Sequence, residues 1–264
     1  MTMPTTLPPG LRLPMMSQGA PGSGSVSWPQ PPLPEVLTQG TFNIAGRDGE
    51  QHEFHIYADE GVRHDSKVLV ILPGAGGFTK RTHYPVGKAP KPCWTVVLDV
   101  EGKFKKRTPT YLEALLRYLK GVININSDVV IIGFSRGAAW VVDVALENAD
   151  LFDAAIALAP YPWTKQPTDN MHEARMLMQV QKPIMLLHFV SDEHCNAMKY
   201  PEWYSQFALA MEAEPGSSFG LRQPGFLSYM LEGRHIKGYD MLVSLDFHAA
   251  NPCPDEWWRN MWSQ

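Results

Sequence analysis

Residues 129–140, VVIIGFSRGAAW, place a serine hydroxyl between two glycines. Four apolar residues lead into the pair and are typical of a buried strand, whereas the small and apolar residues after Arg136 are typical of a helix. Ser135 therefore falls on a sharp strand-to-helix turn, where Gly133 and Gly137 leave room for the crowded backbone. Such a turn exposes the hydroxyl beside a helix N-terminus, which favours developing negative charge. This spacing supports nucleophilic attack by Ser135.

The segment 133–137, Gly-Phe-Ser-Arg-Gly, resembles the G-x-S-x-G nucleophile elbow of the alpha/beta-hydrolase superfamily. The resemblance covers roughly residues 40–250 by motif and order. The size of the chain and a hairpin before its first parallel strand are similar to those of small dienelactone-hydrolase and carboxylesterase-like members. The resemblance implies that a carboxylate and then a histidine follow the serine along the chain.

The carboxylate is expected in KPIMLLHFVSDEHCN, residues 182–196, where an apolar strand runs into an acidic loop. By register with the superfamily Asp192 is the match, and Glu193 is the alternative. His188 and Phe189 stand where the superfamily often has an "HG"-like pair, so the glycine is absent. Adjacent side chains at 192–195 point in different directions, which disfavours a metal site there.

The histidine base is expected in GFLSYMLEGRHIKGYD, residues 225–240. His235 follows the last strand by four residues and lies in a glycine-flanked loop, ahead of a helix predicted at 239–250. His248 is the competitor, but it falls inside that helix and too far from the strand edge. A loop at the sheet edge is where a base can meet Ser135, so His235 is favoured.

Acyl transfer also requires N–H donors aimed at the developing oxyanion. One donor is expected from Arg136, the residue after the nucleophile. The other is expected from the loop after the first parallel strand, LPGAGG at 72–77, which resembles the "HG-x-GG" loop of esterases and lipases with Pro73 in place of histidine. Ala75 and Gly76 both remain candidates. The loop lacks the spacing of phosphate-binding motifs.

The elements that must position these residues follow from hydrophobic patterning. Segments 41–45 and 51–59 flank a turn-rich GRDGE and predict an antiparallel hairpin, with His52 and His55 on its surface. Continuous apolar runs, typical of parallel strands covered on both faces, follow at 67–73, 94–100, 128–134, 153–160, 182–190 and 225–231. Helices are predicted at 108–121, 136–149, 171–181, 200–213 and 239–250.

This order predicts an α/β protein with the alpha/beta-hydrolase fold. Its central sheet is mostly parallel, with an N-terminal antiparallel hairpin and helices on both faces. Nine of the 23 prolines lie in residues 1–36, which predicts a disordered Pro/Gly/Ser-rich arm before a hydrolase domain at 37–264. The aromatic carboxyl end, with Trp257, Trp258 and Trp262, is expected to cap the core.

Composition excludes several classes. A net charge of −4 disfavours a nucleic-acid partner, and no apolar run is long enough for a membrane span. Three widely spaced cysteines form no disulfide framework, which indicates reduced thiols and a cytoplasmic location. The sequence does not indicate an oligomeric state.

The combined prediction is a serine hydrolase for a small-molecule ester or thioester, with Ser135, Asp192 and His235 as the triad and no metal or organic cofactor. Tyr161 and Trp163 follow a strand end and are candidates for lining the substrate pocket. The alternatives are a non-catalytic binding protein of the same fold and an acyltransferase or lyase using the same site.

Overall fold

The computed structural model describes residues 33–46, 49–78, 81–98, 110–123, 128–160, 177, 180, 182–189, 191–194, 226–231, 233–247 and 253–263. The predicted arm up to residue 32, the helix at 200–213 and nearly all of the helix at 171–181 lie outside these residues. So do Tyr161, Trp163 and His248.

Eight strands of the described residues form one mixed sheet. Every predicted strand is present, with ends within two residues of the predicted ones. The strands are β1 (Gly40–Ala45), β2 (Gln51–Ala58), β3 (Val68–Leu72), β4 (Trp94–Leu98), β5 (Val129–Phe134), β6 (Ala154–Leu158), β7 (Ile184–Phe189) and β8 (Phe226–Leu231).

The spatial order of the strands is β1-β2-β4-β3-β5-β6-β7-β8. The β1–β2 and β2–β4 pairs are antiparallel, and the other pairs, from β4–β3 to β7–β8, are parallel. The predicted alpha/beta-hydrolase fold class is confirmed. Because the carboxyl ends of parallel strands meet at one edge, the loops after β3, β5, β7 and β8 gather there.

Four α-helices accompany the sheet in the described ranges: α1 (Thr110–Val122), α2 (Arg136–Glu147), α3 (His235–Ser244) and α4 (Cys253–Ser263). Short 3-10 turns occupy Arg81–His83 and Ala149–Leu151. None of the helices in these ranges is both long and apolar enough to cross a membrane.

The sheet carries a hydrophobic core on each face, which is why its central strands are apolar without alternation. Leucines of α1 and the Trp140 side of α2 pack in one core. Met241 and Leu242 of α3 pack in the other, together with Trp258 and Trp262 of α4. These two tryptophans are buried, which confirms the predicted capping role for them.

The predicted surface position of His52 and His55 is wrong, because both faces of β2 are covered. His52 is buried and stacks on Tyr111 of α1 with ring centroids 3.7 Å apart. His55, on the opposite face, is also buried, with its ring 5.7 Å from that of Tyr84. The hairpin therefore belongs to the covered part of the sheet.

The last predicted helix begins earlier than expected, at His235 rather than at residue 239, and ends at Ser244. His235 is thus the first residue of α3 and not part of a preceding loop. Gly238, which looked like the end of a loop, lies within α3. A Cβ on Gly238 would lie 2.9 Å from the Phe134 ring and 3.0 Å from the Phe189 ring, so close packing explains this glycine.

Candidate active site

The turn between β5 and α2 has the geometry that the motif predicted. Ser135 has φ 54° and ψ −114°, a conformation that non-glycine residues rarely adopt. Its N–H donates to Leu158 O on β6 at 2.8 Å, and its carbonyl accepts from Ala139 N–H at 3.0 Å as α2 begins. Such strain costs about 1–3 kcal/mol and persists only where neighbouring structure holds it.

The two glycines flanking Ser135 are required by close backbone contacts. A Cβ on Gly133 would lie 2.7 Å from Ala138 N and closer still to Gly137 O. A Cβ on Gly137 would lie 2.7 Å from Leu72 O and closer still to Pro73 O. The elbow is thus packed against itself and against the end of β3.

The glycine-rich loop after β3 lies beside the elbow because Leu72 pairs with Gly133 in the β3–β5 register. An ideal Cβ on Gly74 would lie 3.3 Å from Ser135 Cβ. Gly77 N–H donates to Gly74 O at 2.9 Å and closes a turn with Ala75 and Gly76 exposed at its tip. The structure therefore places this loop beside Ser135. Arg136, the first residue of α2, is already next to Ser135 along the chain.

The carboxylate and the histidine meet at the next part of the same edge, where Phe189 pairs with Leu231. Asp192 is fully buried, and its Oδ2 lies 2.7 Å from His235 Nδ1. Its Oδ1 accepts from His194 N–H at 2.8 Å. Because a carboxylate only accepts hydrogen bonds, Nδ1–H donates and the lone pair of the neutral ring is on Nε2.

The imidazole of His235 packs against the elbow. Its ring centroid lies 4.7 Å from that of Phe134, the residue before Ser135. Ser135 and His235 are each 8% exposed, which leaves a small accessible area at both. The geometry therefore gathers the elbow, the imidazole and the buried carboxylate at one edge of the sheet.

Glu193, the alternative acid, lies on the other side of the His235 residue. One carboxylate oxygen accepts from His235 N–H at 3.1 Å, and the other lies 3.2 Å from Arg234 Nη2. In the structure it is Asp192 that contacts the imidazole.

Aromatic residues around Phe134 form a neighbourhood that sequence reasoning missed. Tyr239 of α3 lies 5.9 Å from Phe134 and 6.1 Å from Phe78, measured between ring centroids. Its hydroxyl lies 3.2 Å from His83 Nδ1. His83 and Tyr239 are 156 residues apart, so no local pattern in the sequence pairs them.

His188 of β7, a buried histidine near Asp192, makes the stability of the protein depend on pH. Burial lowers the pKa of His188 to about 4 from its ordinary 6.5, although the nearby Asp192 charge opposes the shift. At a pH between these two pKa values, His188 binds a proton in the unfolded chain but not in the folded chain. The free energy of unfolding therefore falls as the pH falls through this range. We expect His188→Gln, which cannot titrate, to lose less unfolding free energy than the wild type between pH 7 and pH 4 in urea denaturation. Parallel curves for the two proteins would contradict this.

Comparison with known proteins supports the assignment of the fold. The chain is similar to an alpha-beta serine hydrolase homologue from Coxiella burnetii, with a TM-score of 0.54 and 20% identity over 86% of this chain and 99% of that one. It is similar to Est1E from Butyrivibrio proteoclasticus, with a TM-score of 0.54 and 14% identity over 85% and 98% of the two chains. The esterase Pf2001 from Pyrococcus furiosus gives a TM-score of 0.54 and 16% identity over 85% and 90%. The comparison with curated proteins gave no significant match.

The sequence itself matches the Esterase family model over residues 46–208, which is more than half of the chain and includes both the elbow and Asp192. The mixed sheet, the elbow at the end of β5 and this match lead to one assignment: the chain has the alpha/beta-hydrolase fold and belongs to the Esterase family.

Proposed function

We propose that the protein is a serine hydrolase that cleaves a carboxylic ester or thioester through an acyl-Ser135 intermediate, with Ser135, His235 and Asp192 as its triad. The observation that carries the proposal is the 2.7 Å bond between Asp192 Oδ2 and His235 Nδ1, formed beside a strained serine elbow. An orienting carboxylate, an imidazole and an activated hydroxyl are the three groups that this chemistry requires.

In the first half-reaction His235 Nε2 accepts the proton of Ser135 Oγ as the oxygen attacks the acyl carbon. The imidazolium, stabilised by the Asp192 carboxylate, then donates that proton to the departing alcohol or thiol. In the second half-reaction Nε2 accepts a proton from water, hydroxide attacks the acyl group, and the free acid leaves as Ser135 regains its proton.

The oxyanion of each tetrahedral intermediate is assigned to two backbone N–H groups. Arg136 N–H lies in the first turn of α2, where the helix dipole favours negative charge. The second donor is Ala75 or Gly76 at the exposed tip of the β3 loop. Gly74 lies beside the serine, since an ideal Cβ on it would be 3.3 Å from Ser135 Cβ, and this position favours Ala75, the next residue along the loop.

Family membership supports a small-molecule ester as the substrate. Tyr161 and Trp163, after β6, are kept as candidate pocket residues. A panel of p-nitrophenyl esters of rising acyl length, with water as the only acceptor, measures the acyl preference. Turnover under these conditions also separates a hydrolase from an acyltransferase.

The proposal is tested with a fluorophosphonate probe and intact-mass detection. We expect one adduct on the wild type and none on Ser135→Ala, because the probe phosphonylates only an activated serine. Ser191→Ala is the matched control, since its hydroxyl is exposed in the Asp192 loop, and it should label like the wild type. A folded wild type without an adduct would overturn the proposal and favour a binding role.

A further inference from the structure

The start of α3 is held by a residue from a different loop. Arg234, at the N-cap position, makes no side-chain capping hydrogen bond. Glu193 instead reaches across from the loop after β7, and its Oε2 accepts from His235 N–H at 3.1 Å. A negative group at a helix N-terminus is stabilised by the unsatisfied N–H groups and the helix dipole.

Glu193 therefore contacts His235, the same residue whose imidazole ring is bound by Asp192. Asp192 binds the His235 side chain through Nδ1, and Glu193 binds its backbone through N–H. Two successive carboxylates therefore fix one residue at two points. Ser191 N–H, just before them, donates to Gly233 O at 3.0 Å and ties the two loops together again.

From these contacts we propose that Glu193 is a positioning residue that holds the backbone of His235, so that the imidazole stays aligned between Asp192 and Ser135. The inference rests on the proposed function for its kinetic consequence, but the contact itself does not depend on it.

The state of Glu193 is consistent with this role. Its own backbone N–H, then His235 N–H, hold the pKa of the Glu193 carboxyl below its ordinary 4.5, and Arg234 adds to this effect. At neutral pH the side chain is therefore ionised and offers only acceptor oxygens. The side chain of Arg234 is exposed, so its ion pair with Glu193 adds little stability by itself.

Three variants separate positioning from a general loss of helix stability. Glu193→Ala removes the acceptor, whereas Glu193→Gln keeps a side-chain oxygen at the same reach. Ser244→Ala is the helix control, because it removes the hydroxyl bonds to Asp240 O and Asp246 N at the far end of α3.

With p-nitrophenyl acetate we expect Glu193→Ala to lower kcat about tenfold with KM nearly unchanged, since small misplacements of a catalytic group are costly to the chemical step. Glu193→Gln should recover most of the loss, and Ser244→Ala should match the wild type. Equal losses in Glu193→Ala and Glu193→Gln, or wild-type kcat in Glu193→Ala, would overturn the proposal.

A second measurement needs no turnover. Amide hydrogen exchange of His235, followed by NMR in histidine-labelled protein, should be faster in Glu193→Ala than in Glu193→Gln and the wild type. If the wild type proved inactive, the proposed function would fail while this exchange difference still supported the contact. Unchanged exchange in Glu193→Ala would overturn the positioning role even in an active enzyme.

Discussion

Replacing Asp192 with asparagine is expected to lower kcat/KM for p-nitrophenyl acetate by a factor of about 10³–10⁴, with little change in the fold. The side chain is fully buried, and the substitution preserves its shape. The loss arises because the amide reverses the hydrogen bond that orients His235.

The hydrogen bond to His194 determines which way the new amide points. His194 N–H donates to Asp192 Oδ1 at 2.8 Å, and this donor requires an oxygen opposite it. The NH₂ group of the asparagine must then face His235 Nδ1, which has to accept. The ring proton consequently moves to Nε2, and that nitrogen no longer accepts the Ser135 proton.

Asp240→Asn is the matched control, since it neutralises an exposed carboxylate on α3 and should retain wild-type kcat/KM. Circular dichroism establishes that both variants are folded. Asp192→Asn activity within about tenfold of the wild type would contradict the assignment of Asp192, because losing the correct tautomer costs far more.

Gly137→Ala is expected to lower the free energy of unfolding by about 3 kcal/mol, with a clear fall in Tm. The new methyl group would lie 2.7 Å from Leu72 O and closer still to Pro73 O. Both are backbone atoms at the end of a buried strand, so neither moves as a side chain would. The β3 loop must shift away from Ser135, and catalysis should fall with it.

Gly121→Ala provides the comparison. Gly121 lies in the last turn of α1, and among the described residues no atom beyond its chain neighbours and the backbone of its own helix lies within 4 Å of an ideal Cβ there. Alanine is the better helix former, so this variant should be as stable as the wild type or slightly more stable. Thermal unfolding followed by circular dichroism measures both. Equal Tm values for the two variants would show that the elbow tolerates a side chain.

The fold was predictable because the central strands are short and apolar throughout. Runs such as 128–134 and 182–190 have no alternation, and only burial on both faces accounts for that. Their spacing left room for crossover helices, which imposed a parallel sheet. The helix at Cys253–Ser263 had a weaker signal, in Pro254 at its first turn and tryptophans spaced by four residues.

The features of the fold that the sequence did not predict depend on long-range packing. Alternation in β2 was visible, but nothing local to His52 indicated that Tyr111 would cover it. Glycine at 238 is a helix-breaking signal in sequence, and the approach of Phe134 and Phe189 explains its place inside α3. Such contacts join residues far apart in the chain, where propensity carries no information.

In the candidate site, too, some features are determined by local sequence and others by contacts between distant parts of the chain. The motif around Ser135 determines its own backbone, because both glycines act within the turn itself. Which of Asp192 and Glu193 contacts the His235 ring depends on how the loops after β7 and β8 meet. Adjacent carboxylates cannot be distinguished in this respect from sequence. The structure gives each a separate contact on His235, one to the ring and one to the backbone N–H.

The order of the strands also has a consequence for biosynthesis. Ser135 directly follows β5, and the sheet neighbours of that strand, β3 and β6, have both been synthesised once the chain reaches residue 158. The proposed base is His235, 100 residues further along, on the helix that follows edge strand β8. A chain emerging from the ribosome therefore carries Ser135 through much of translation without its proposed base. On the proposed mechanism nascent chains are inert towards esters, and activity begins only when α3 has left the exit tunnel.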